Sequence, residues 1–302
     1  MTLADPVLLG LDFGGTKLAA GLVDQHGAVL ASARCATPLQ GGASASLDAM
    51  LALARDVLVG QAGSQLSGVG VSFGGPVAAD GRTVRLSMHV PGWEHVALAE
   101  LLEAALGVPA RIANDGDAAA LAEYHFGAGR GVQHLLYMTI STGIGGGLII
   151  AGQLHRGAHA WAGEIGHMVL DPAGPPCPCG RTGCLESLAS GRSIARAFAQ
   201  QRPEQPLSAE AIAQAAARGD ALAQQIWDEA MRWLGLGIAS AANLLNPGLV
   251  VLGGGLTRAG EQLFAPVRQV VAGRVLDPDL SIVAAALGDH VGILGGAALL
   301  LV

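Results

Sequence analysis

The sequence predicts an α/β protein built from two similar units. Residues 7–34 are typical of three short strands joined by tight turns, and residues 134–151 are typical of two further strands. Each segment has a glycine-rich turn between its first two strands. Alanine-rich helices are predicted after the second segment, at residues 192–200, 208–217 and 221–243. We expect a ligand cleft between two such units, because domain interfaces are preferred places for pockets.

The other elements alternate between helix and strand. Residues 46–59 carry apolar side chains at helical spacing, and Gly107 is expected to end a second helix at 98–106. Further strands are predicted at 68–73, 109–112, 249–252 and 281–285, and further helices at 114–126, 261–271 and 291–300. A boundary near 113–116 divides the chain into a small N-terminal domain and a large C-terminal one. The first takes residues 1–115 plus about 290–302, and the second takes residues 116–289.

The composition indicates a compact protein with a large buried core. Of the 302 residues, 51% are hydrophobic and 14% are charged, and the 45 glycines indicate many tight turns. The net charge of -7 and the lack of basic runs argue against nucleic acid as a partner. Residues 1–30 lack the pattern of a signal peptide, and the apolar run at 291–302 is too short to span a bilayer. We therefore expect a cytoplasmic protein without a membrane partner.

The most unusual stretch of the chain lies at residues 164–186. Its candidate metal ligands are His167, Cys177, Cys179 and Cys184. Their spacing, H-x9-C-x-C-x4-C, suits a closed tetrahedral Zn2+ site of the structural kind. If one ring nitrogen of His167 binds zinc, the other is left to donate to a hydroxyl or a carboxylate. Glu164 and Glu186 bracket the segment and are not needed as ligands. Cys35 stands alone, so the cysteines do not form the disulfide framework of a secreted protein.

The turn Asp12-Phe13-Gly14-Gly15-Thr16-Lys17 lies between two predicted strands. A P-loop is excluded, because Thr16-Lys17 replaces the Lys-Ser/Thr of that motif and residues 18–23 are typical of a strand. The glycines allow a phosphate to approach the backbone, and the amides with Thr16 and Lys17 are candidate phosphate donors. Asp12 is a candidate ligand of Mg2+, directly or through water. An ordinary glycine hairpin is the alternative.

Two further glycine turns have a similar character. Residues 139–147, T-I-S-T-G-I-G-G-G, offer the hydroxyls of Ser141 and Thr142 but no charge, so they would hold phosphate through N–H and O–H groups alone. Gly253-Gly254-Gly255 follows an apolar strand and would let an adenine ring lie against the backbone. Taken alone, close packing explains the turn at 139–147 equally well, and it explains Gly253-Gly254-Gly255 better than a nucleotide does. Three such turns in one chain favour a nucleotide.

Asn114 and Asp115 open a predicted helix directly after a strand. Plain capping explains both residues, since Asn is a good N-cap and Asp suits the first turn of a helix. The functional interpretation makes Asp115 a general base that accepts the proton of a sugar hydroxyl as this attacks the γ-phosphate of ATP. Asp117 is the rival, but positions i and i+2 of a helix point to different faces. We prefer Asp115, because Asn114 beside it can hold a neighbouring hydroxyl.

Four motifs resemble the ROK family (repressor, open reading frame, kinase) of the sugar kinase and actin superfamily, over essentially the whole chain. L-D-F-G-G-T-K at 11–17 is similar to the first phosphate motif of the family, and S-T-G-I-G-G-G at 141–147 to the second. V-V-L-G-G-G-L at 250–256 is similar to the adenosine motif. The most specific resemblance is G-E-I-G-H at 163–167 with C-x-C-G-x2-G-C-x-E at 177–186.

The resemblance implies two ribonuclease-H-like α/β domains, of the actin and hexokinase type, around a hinged cleft, with a structural zinc site and with the last helix returning to the first domain. It also implies that Asp115 is the catalytic base. The residues implied to hold the sugar are Gly74, Gly75, Asn114, Asp115, Glu164, His167 and Glu186. The residues implied to hold ATP and Mg2+ are Asp12, Gly14, Gly15, Thr16, Lys17, Ser141, Thr142, Gly143, Gly145, Gly254 and Gly255.

We therefore expect an ATP- and Mg2+-dependent kinase that phosphorylates O6 of an aldohexose. P-G-W at 91–93 and N-D-x-D-A-A-A-L-A-E at 114–123 resemble bacterial glucokinases more than N-acetylhexosamine kinases, which favours glucose. A kinase for N-acetylglucosamine or N-acetylmannosamine, or a fructokinase, is the alternative, and polyphosphate stays open as a donor. A sugar-sensing regulator of the family would carry a helix-turn-helix before the first phosphate motif, which begins here at residue 11. The resemblance also implies a homodimer or a homotetramer.

Overall fold

The protein is described by a computed structural model that covers residues 6–59, 65–87 and 89–302. Its internal contacts divide the chain into two compact units. Unit 1 consists of Met1–Gly131, Gly147–Ala162 and Ala286–Val302, and unit 2 consists of Val132–Gly146 and Gly163–Ala285. Because the units interleave along the chain, each is assembled from segments that are far apart in sequence.

The sheet of unit 1 combines an antiparallel meander with two parallel strands. Its strands are β1 (Pro6–Phe13), β2 (Lys17–Asp24), β3 (Val29–Ala36), β4 (Gln65–Phe73) and β5 (Ala110–Asn114). They lie in the order β3-β2-β1-β4-β5, with β1, β2 and β3 antiparallel and with β1, β4 and β5 parallel. The predicted meander is therefore confirmed. β1 and β2 are buried along most of their length because both faces of the sheet are covered, whereas every second residue of the edge strand β3 is exposed.

Helices cover the two faces of this sheet. α1 (Gly42–Leu58) and α2 (Leu98–Leu106) bury the face that includes Leu9 and Leu11. α3 (Asp115–Phe126) and the terminal helix α9 (Val291–Ala298) pack together on the face that includes Leu8. α2 has the predicted bounds and ends at a glycine in the left-handed conformation, as the sequence predicts.

Glycines on β1 and β4 let α9 approach the sheet closely. A Cβ on Gly10 would overlap the carbonyl oxygen of Ile293, and a Cβ on Gly70 would overlap that of Gly296. Any larger residue at these two positions would push the helix away from the strands. The terminal helix therefore depends on glycines that lie more than two hundred residues earlier in the chain.

The second sheet repeats the strand order of the first. Its strands are β6 (Leu135–Ile140), β7 (Ile144–Ile150), β8 (Gln153–Leu154), β9 (Leu249–Gly253) and β10 (Ser281–Ala284). They lie in the order β10-β9-β6-β7-β8, with β6, β9 and β10 parallel and with β7 and β8 antiparallel. In both sheets, the first strand of the set lies between the second and the fourth. This result confirms the repeated topology that the sequence predicts.

The second glycine turn is shorter than predicted. The sequence predicts a turn that reaches residue 147 and a strand at 148–151, whereas β7 already begins at Ile144. Glycine is needed within this strand because its surroundings leave no room for a side chain. A Cβ on Gly146 would lie 2.9 Å from the carbonyl oxygen of Gly163. Close packing, the alternative weighed for this turn, therefore explains part of its glycine run.

The remaining helices belong to unit 2. They are α4 (Leu185–Ala189), α5 (Gly191–Gln201), α6 (Ala209–Ala217), α7 (Ala221–Leu245) and α8 (Glu261–Ala272). No helix in the part of the chain that the structure describes is long and apolar enough to cross a lipid bilayer. The predicted domain boundary at 113–116 overlaps the start of α3, and the contacts group α3 with unit 1.

Candidate active site

The predicted site residues are distributed over both units. Those in unit 1 are Asp12, Gly14, Gly15, Thr16, Lys17, Gly74, Gly75, Asn114 and Asp115. Those in unit 2 are Ser141, Thr142, Gly143, Gly145, Glu164, His167, Cys177, Cys179, Cys184, Glu186, Gly254 and Gly255. Most of them lie at the ends of strands, in turns or at the starts of helices. Such positions combine a rigid backbone with access to solvent.

The turn between β1 and β2 is a tight hairpin, as the sequence predicts. The N–H of Gly14 donates to the carbonyl oxygen of Lys17 at 3.1 Å, and the hydroxyl of Thr37 donates to the carbonyl oxygen of Gly14 at 2.8 Å. A Cβ on Gly14 would lie 2.9 Å from the carbonyl oxygen of Lys17, so the turn requires glycine there. Gly15 and Thr16 are exposed, which leaves this turn open to a ligand.

Asp12 lies at the end of β1, directly before this turn. Burial raises the pKa of its carboxyl, while the charge of Lys17 and a hydrogen bond with Ser72 act to lower it. The start of α9 lies against the carboxylate, where Gly292 leaves no space for a Cβ. Because a helix N-terminus favours a negative charge, α9 offsets part of the desolvation of Asp12.

The end of β4 is tied to the ends of the strands beside it. The N–H of Gly74 donates to the carbonyl oxygen of Phe13 at 2.9 Å, and the side-chain amide of Asn114 donates to the carbonyl oxygen of Gly75 at 3.2 Å. The buried rings that pack together at these strand ends are Phe13, Phe73 and Trp93. The backbone of Gly74 and Gly75 is therefore held on a rigid aromatic support.

Asn114 caps α3, as the sequence predicts. Its side-chain oxygen accepts a hydrogen bond from the N–H of Gly116 at 2.9 Å. Asp115 is the first residue of α3 and is exposed. Asp117 is buried, and its carboxylate lies 3.6 Å from Nε of Arg156. The two aspartates therefore lie in different environments, and Asp115 is the one within reach of a ligand from solvent.

Arg156 was not among the predicted site residues. Its guanidinium donates to the carbonyl oxygens of Ala78 and Ala79, at 3.1 and 3.4 Å, beside the carboxylate of Asp117. It thus connects α3 with the segment that follows Gly75. A lone arginine after a short strand gives no sequence signal for such a contact, because its partners come from two distant parts of the chain.

Glu123 was also missed, although it ends the motif at 114–123. Its side chain is fully buried, and its carboxylate accepts hydrogen bonds from the N–H groups of Ala128 (2.8 Å), Ala286 (2.9 Å) and Leu287 (3.0 Å). A buried carboxylate is stable when its oxygens are satisfied in this way. The sequence signal that could have found Glu123 is a single glutamate in an alanine-rich run that is typical of a buried helix.

The turn between β6 and β7 is closed by its own backbone and held by α5. The N–H of Ser141 donates to the carbonyl oxygen of Gly143 at 2.9 Å. The first two N–H groups of α5, those of Gly191 and Arg192, donate to the carbonyl oxygens of Ser141 and Thr142 at 2.8 and 3.2 Å. The turn therefore has a defined shape before any ligand binds.

Glu186 contacts the same turn from the first turn of α4. Its Oε2 accepts a hydrogen bond from the N–H of Ile144 at 2.9 Å, and a Cβ on Gly143 would overlap this oxygen. The sequence predicts a sugar-binding role for Glu186, and it gives no signal for a contact with a phosphate turn. The hydrogen bond to Ile144 is therefore an additional finding.

The third glycine turn follows β9 and lies beside the second. β9 pairs with β6, and Gly253 is the register partner of Thr139. Gly254 has φ of 88°, and a Cβ there would overlap the carbonyl oxygen of Ile140. Both facts require glycine at this position. The second and third turns thus lie at the same edge of the second sheet, as the nucleotide interpretation requires.

The four predicted zinc ligands converge. The ligand atoms of His167, Cys177, Cys179 and Cys184 all lie within 4.8 Å of one another. The Sγ of Cys177 is 3.7 Å from Nδ1 of His167, and the Sγ of Cys179 is 3.6 Å from that of Cys184. Ligand atoms around a tetrahedral Zn2+ are about 3.6 to 3.8 Å apart, given bonds of about 2.0 to 2.3 Å. The donor set and its spacing therefore fit a zinc ion.

Glu164 precedes the short helix Ile165–His167, and His167 is its last residue. The Nδ1 of His167 faces Cys177, and its Nε2 lies 3.9 Å from Oε2 of Glu164. Burial raises the pKa of Glu164, the charge of His167 lowers it, and the charge of Glu186 raises it. The three predicted sugar-binding side chains of unit 2 thus lie within electrostatic reach of one another.

Comparison with known proteins identifies the family. The model of the ROK family matches residues 8–302. Glucokinase from Streptomyces coelicolor is 34% identical over an alignment of 309 positions, which covers 96% of this chain and 96% of the relative. N-acetylmannosamine kinase from Escherichia coli O1:K1 / APEC is 36% identical over 292 residues, which cover 96% of this chain and 97% of the relative.

A solved structure agrees with these relatives. The ROK family glucokinase from Streptomyces griseus in complex with glucose and AMPPNP superposes with a TM-score of 0.83 at 34% identity, covering 97% of this chain and 98% of the other. The fold is thus the two-sheet α/β fold of ROK sugar kinases. The resemblance seen in the motifs is confirmed, and the chain belongs to the ROK family.

Proposed function

We propose that the protein is an ATP-dependent sugar kinase that phosphorylates O6 of an aldohexose, with glucose as the preferred sugar. The observation that carries this proposal is the full-length similarity to glucokinases, one of which is solved with glucose and AMPPNP. The glycine turns, Asp12 and Asp115 are the parts of the chain that this chemistry uses.

Asp115 is the proposed general base. It accepts the proton of O6 as O6 attacks the γ-phosphorus, so that the O6–P bond forms. The bond between the γ-phosphorus and the β–γ bridging oxygen breaks, and ADP leaves with the electron pair. The exposure of Asp115 at the start of α3 supports this role, whereas Asp117 is buried against Arg156.

The glycine turns supply the proposed nucleotide site. The proposed ATP-binding residues are Gly14, Gly15, Thr16, Lys17, Ser141, Thr142, Gly143, Gly145, Gly254 and Gly255. Backbone N–H groups in such turns are suited to phosphate oxygens, and Lys17 adds a positive charge. Asp12 is the proposed holder of Mg2+, directly or through water. The ion, when bound, neutralises charge on the β- and γ-phosphates.

The proposed sugar site combines carboxylates, an amide and backbone groups. The residues assigned to it are Gly74, Gly75, Asn114, Asp115, Glu164, His167 and Glu186. Carboxylates are strong acceptors for sugar hydroxyls, and the Nε2 of His167 points away from the cysteines and toward Glu164. We assign a structural Zn2+ to His167 and the three cysteines. The ion would brace His167, and through the local fold Glu164 and Glu186.

An N-acetylhexosamine is the second candidate substrate. The similarity to N-acetylmannosamine kinase, at 36% identity over nearly the full chain, favours it. An acetamido group on C2 needs additional space and an amide partner, whereas glucose needs only hydroxyl partners at that carbon. A kinetic comparison of the two sugar classes separates these candidates.

A panel of sugars with Mg2+ and ATP, followed by ADP release, tests the proposal. Glucose is expected to give the highest kcat/KM among glucose, mannose, fructose, N-acetylglucosamine and N-acetylmannosamine. Absence of turnover with all five would overturn the kinase function. The highest kcat/KM for an N-acetylhexosamine would replace glucose by that sugar.

The variant Asp115→Asn tests the base. We expect kcat to fall by about a thousandfold, within the range for loss of a general base, while glucose still binds in calorimetry. Asp56→Asn, an exposed change in α1, is the matched control and should leave kcat unchanged. Retained turnover in Asp115→Asn would move the base to another residue.

A further inference from the structure

The hydrogen bond between Glu186 and Ile144 joins two functions that the sequence assigned separately. Glu186 is a proposed sugar ligand, whereas the turn at residues 141–143, which Ile144 follows, is a proposed phosphate ligand. The N–H of Ile144 donates to Oε2 of Glu186 at 2.9 Å. A single carboxylate therefore contacts the phosphate turn directly.

The surroundings of the turn make this contact specific. α5 holds its carbonyl oxygens through Gly191 and Arg192, and the N–H of Ser141 donates to Gly143 within the turn. These contacts leave the N–H groups of Thr142 and Gly143 to face a ligand. Glu186 is the side chain that fixes an N–H group at the start of β7. Gly143 is required because a Cβ at this position would overlap Oε2 of Glu186. The turn and the carboxylate thus pack with no room for a side chain at residue 143.

Glu186 also lies close to the other sugar-binding groups of unit 2. It is in the first turn of α4, two residues after Cys184, and the N–H of Leu185 before it donates to the carbonyl oxygen of Met168, the residue after His167, at 2.9 Å. Among the residues that the structure describes, the side-chain hydrogen bond of Glu186 uses Oε2, and no donor contacts its Oε1. One oxygen is thus engaged with the turn, while the other is available to a sugar hydroxyl.

We propose that Glu186 is a positioning residue that couples sugar binding to the shape of the phosphate turn. The proposal rests on the kinase function proposed above. A sugar hydroxyl that donates to Oε1 fixes the carboxylate plane and so fixes the acceptor that holds Ile144. The N–H groups of the turn then stay aimed at the phosphates. By linkage, the nucleotide must tighten sugar binding by the same factor.

Nucleotide titrations with and without sugar measure this coupling. Mg2+ and AMPPNP are titrated calorimetrically into the protein, first alone and then with saturating glucose. In the native protein we expect glucose to lower the Kd of AMPPNP about tenfold, a factor within the usual range of coupling between two sites. In Glu186→Ala, the sugar-free Kd should rise about tenfold, because the N–H of Ile144 loses its acceptor.

Four further variants separate positioning from charge and from folding. Glu186→Gln keeps a carbonyl oxygen in reach of Ile144 and should hold the sugar-free Kd of AMPPNP within about threefold of the native value. Glu186→Asp keeps the charge but shortens the side chain, so it should resemble Glu186→Ala. Gly143→Ala should displace the Glu186 carboxylate, because the added Cβ would overlap its Oε2, and it should weaken the binding of both AMPPNP and glucose. Among the described residues, the Glu164 side chain makes no hydrogen bond with the turn, so Glu164→Gln should weaken glucose binding and leave the sugar-free Kd of AMPPNP unchanged.

The outcomes distinguish this inference from the kinase proposal. A sugar-free Kd of AMPPNP in Glu186→Ala equal to the native value would overturn the positioning role, even if the native protein is an active kinase. If Glu186→Ala does not fold, the comparison of Glu186→Gln with Glu186→Asp tests the positioning role. A lower Kd of AMPPNP in Glu186→Asp than in Glu186→Gln would overturn it. A native protein that neither binds AMPPNP nor phosphorylates any sugar overturns the kinase function itself.

Discussion

The buried carboxylate of Glu123 accepts a hydrogen bond from the backbone N–H of Leu287, at 3.0 Å. The same carboxylate also holds the N–H groups of Ala286 and Ala128. Ala286 begins the last segment of unit 1, which leads into α9. A side chain from the middle of the sequence therefore fixes the point at which the C-terminal segment joins the first sheet.

Glu123→Ala is expected to destabilise the protein by about 3 kcal/mol, because buried N–H groups lose a charged acceptor. Glu123→Gln should lower the free energy of unfolding by less than Glu123→Ala does. Its carbonyl oxygen still accepts a hydrogen bond, although its NH2 group faces a donor. Urea unfolding measures both changes. Glu261→Gln, at an exposed ion pair with Arg268, is the control and should change stability by less than about 0.5 kcal/mol. Equal stability of Glu123→Ala and the native protein would contradict the anchoring role.

Gly70→Ala is expected to destabilise unit 1 by about 3 kcal/mol, the upper range for overpacking of a core. The added Cβ would overlap the carbonyl oxygen of Gly296, and a backbone atom in a helix cannot move aside alone. Gly273→Ala is the matched control, because the nearest atoms to its Cβ are 3.9 Å away. Thermal unfolding of the two variants should differ by several degrees, and equal melting temperatures would show that α9 shifts freely.

Removal of zinc by a chelator is expected to lower Tm by about 10 °C, since an ion at about 1000 times its Kd stabilises by about 4 kcal/mol. Because His167 is both a ligand and a proposed sugar contact, glucose affinity should fall as well. Cys184→Ser should reproduce both effects, whereas Cys35→Ser, outside the cluster, should reproduce neither. Metal analysis of the purified protein is expected to give one zinc per chain. Unchanged glucose affinity in a folded, zinc-free protein would contradict the bracing role.

The ion pair between Arg82 and Glu103 predicts a pH dependence of stability. Hydrogen bonds from Arg82, and then from the N–H of Ala110, lower the pKa of Glu103 to about 2. A carboxyl whose folded pKa is depressed contributes stability above its unfolded pKa of about 4.3 and loses it as the pH falls toward the folded value. Glu103→Gln should therefore be less stable than the native protein at pH 7, and the difference should shrink between about pH 5 and pH 2.

Glu100→Gln, an exposed change on the same helix, is the control for this pH series. Its stability relative to the native protein should stay nearly constant over the same range of pH. A Glu103→Gln difference that is independent of pH would show that the ion pair does not carry the effect.

Local patterns predicted a large part of the fold. The spacing of apolar residues and Gly107 sufficed for the bounds of α2, and the sequence 12–17 sufficed for a hairpin between β1 and β2. The chemistry of thiols and imidazole, at short spacing, sufficed to name the four residues that converge in unit 2. Each of these predictions needs only neighbours that are close in sequence.

The error in the start of β7 also arises because the prediction used only neighbours that are close in sequence. A run of glycines is typical of a turn, and its extended conformation at Gly146 follows from the backbone of Gly163 close beside it. Sequence patterns do not show which segments come that close. The partners of Arg156 and Glu123 were missed for the same reason, because each side chain meets segments that lie far away along the chain.

The sequence by itself thus determined the family, the one histidine and three cysteines that converge, and the glycine hairpin between β1 and β2. The tertiary structure alone decided that Asp117 is buried with Arg156, that α9 packs on Gly10 and Gly70, and that Glu186 holds Ile144. The physical reason is that propensity, turn chemistry and ligand spacing act over a few residues. Hydrogen bonds to backbone groups and close packing depend instead on which distant segments the two sheets bring together.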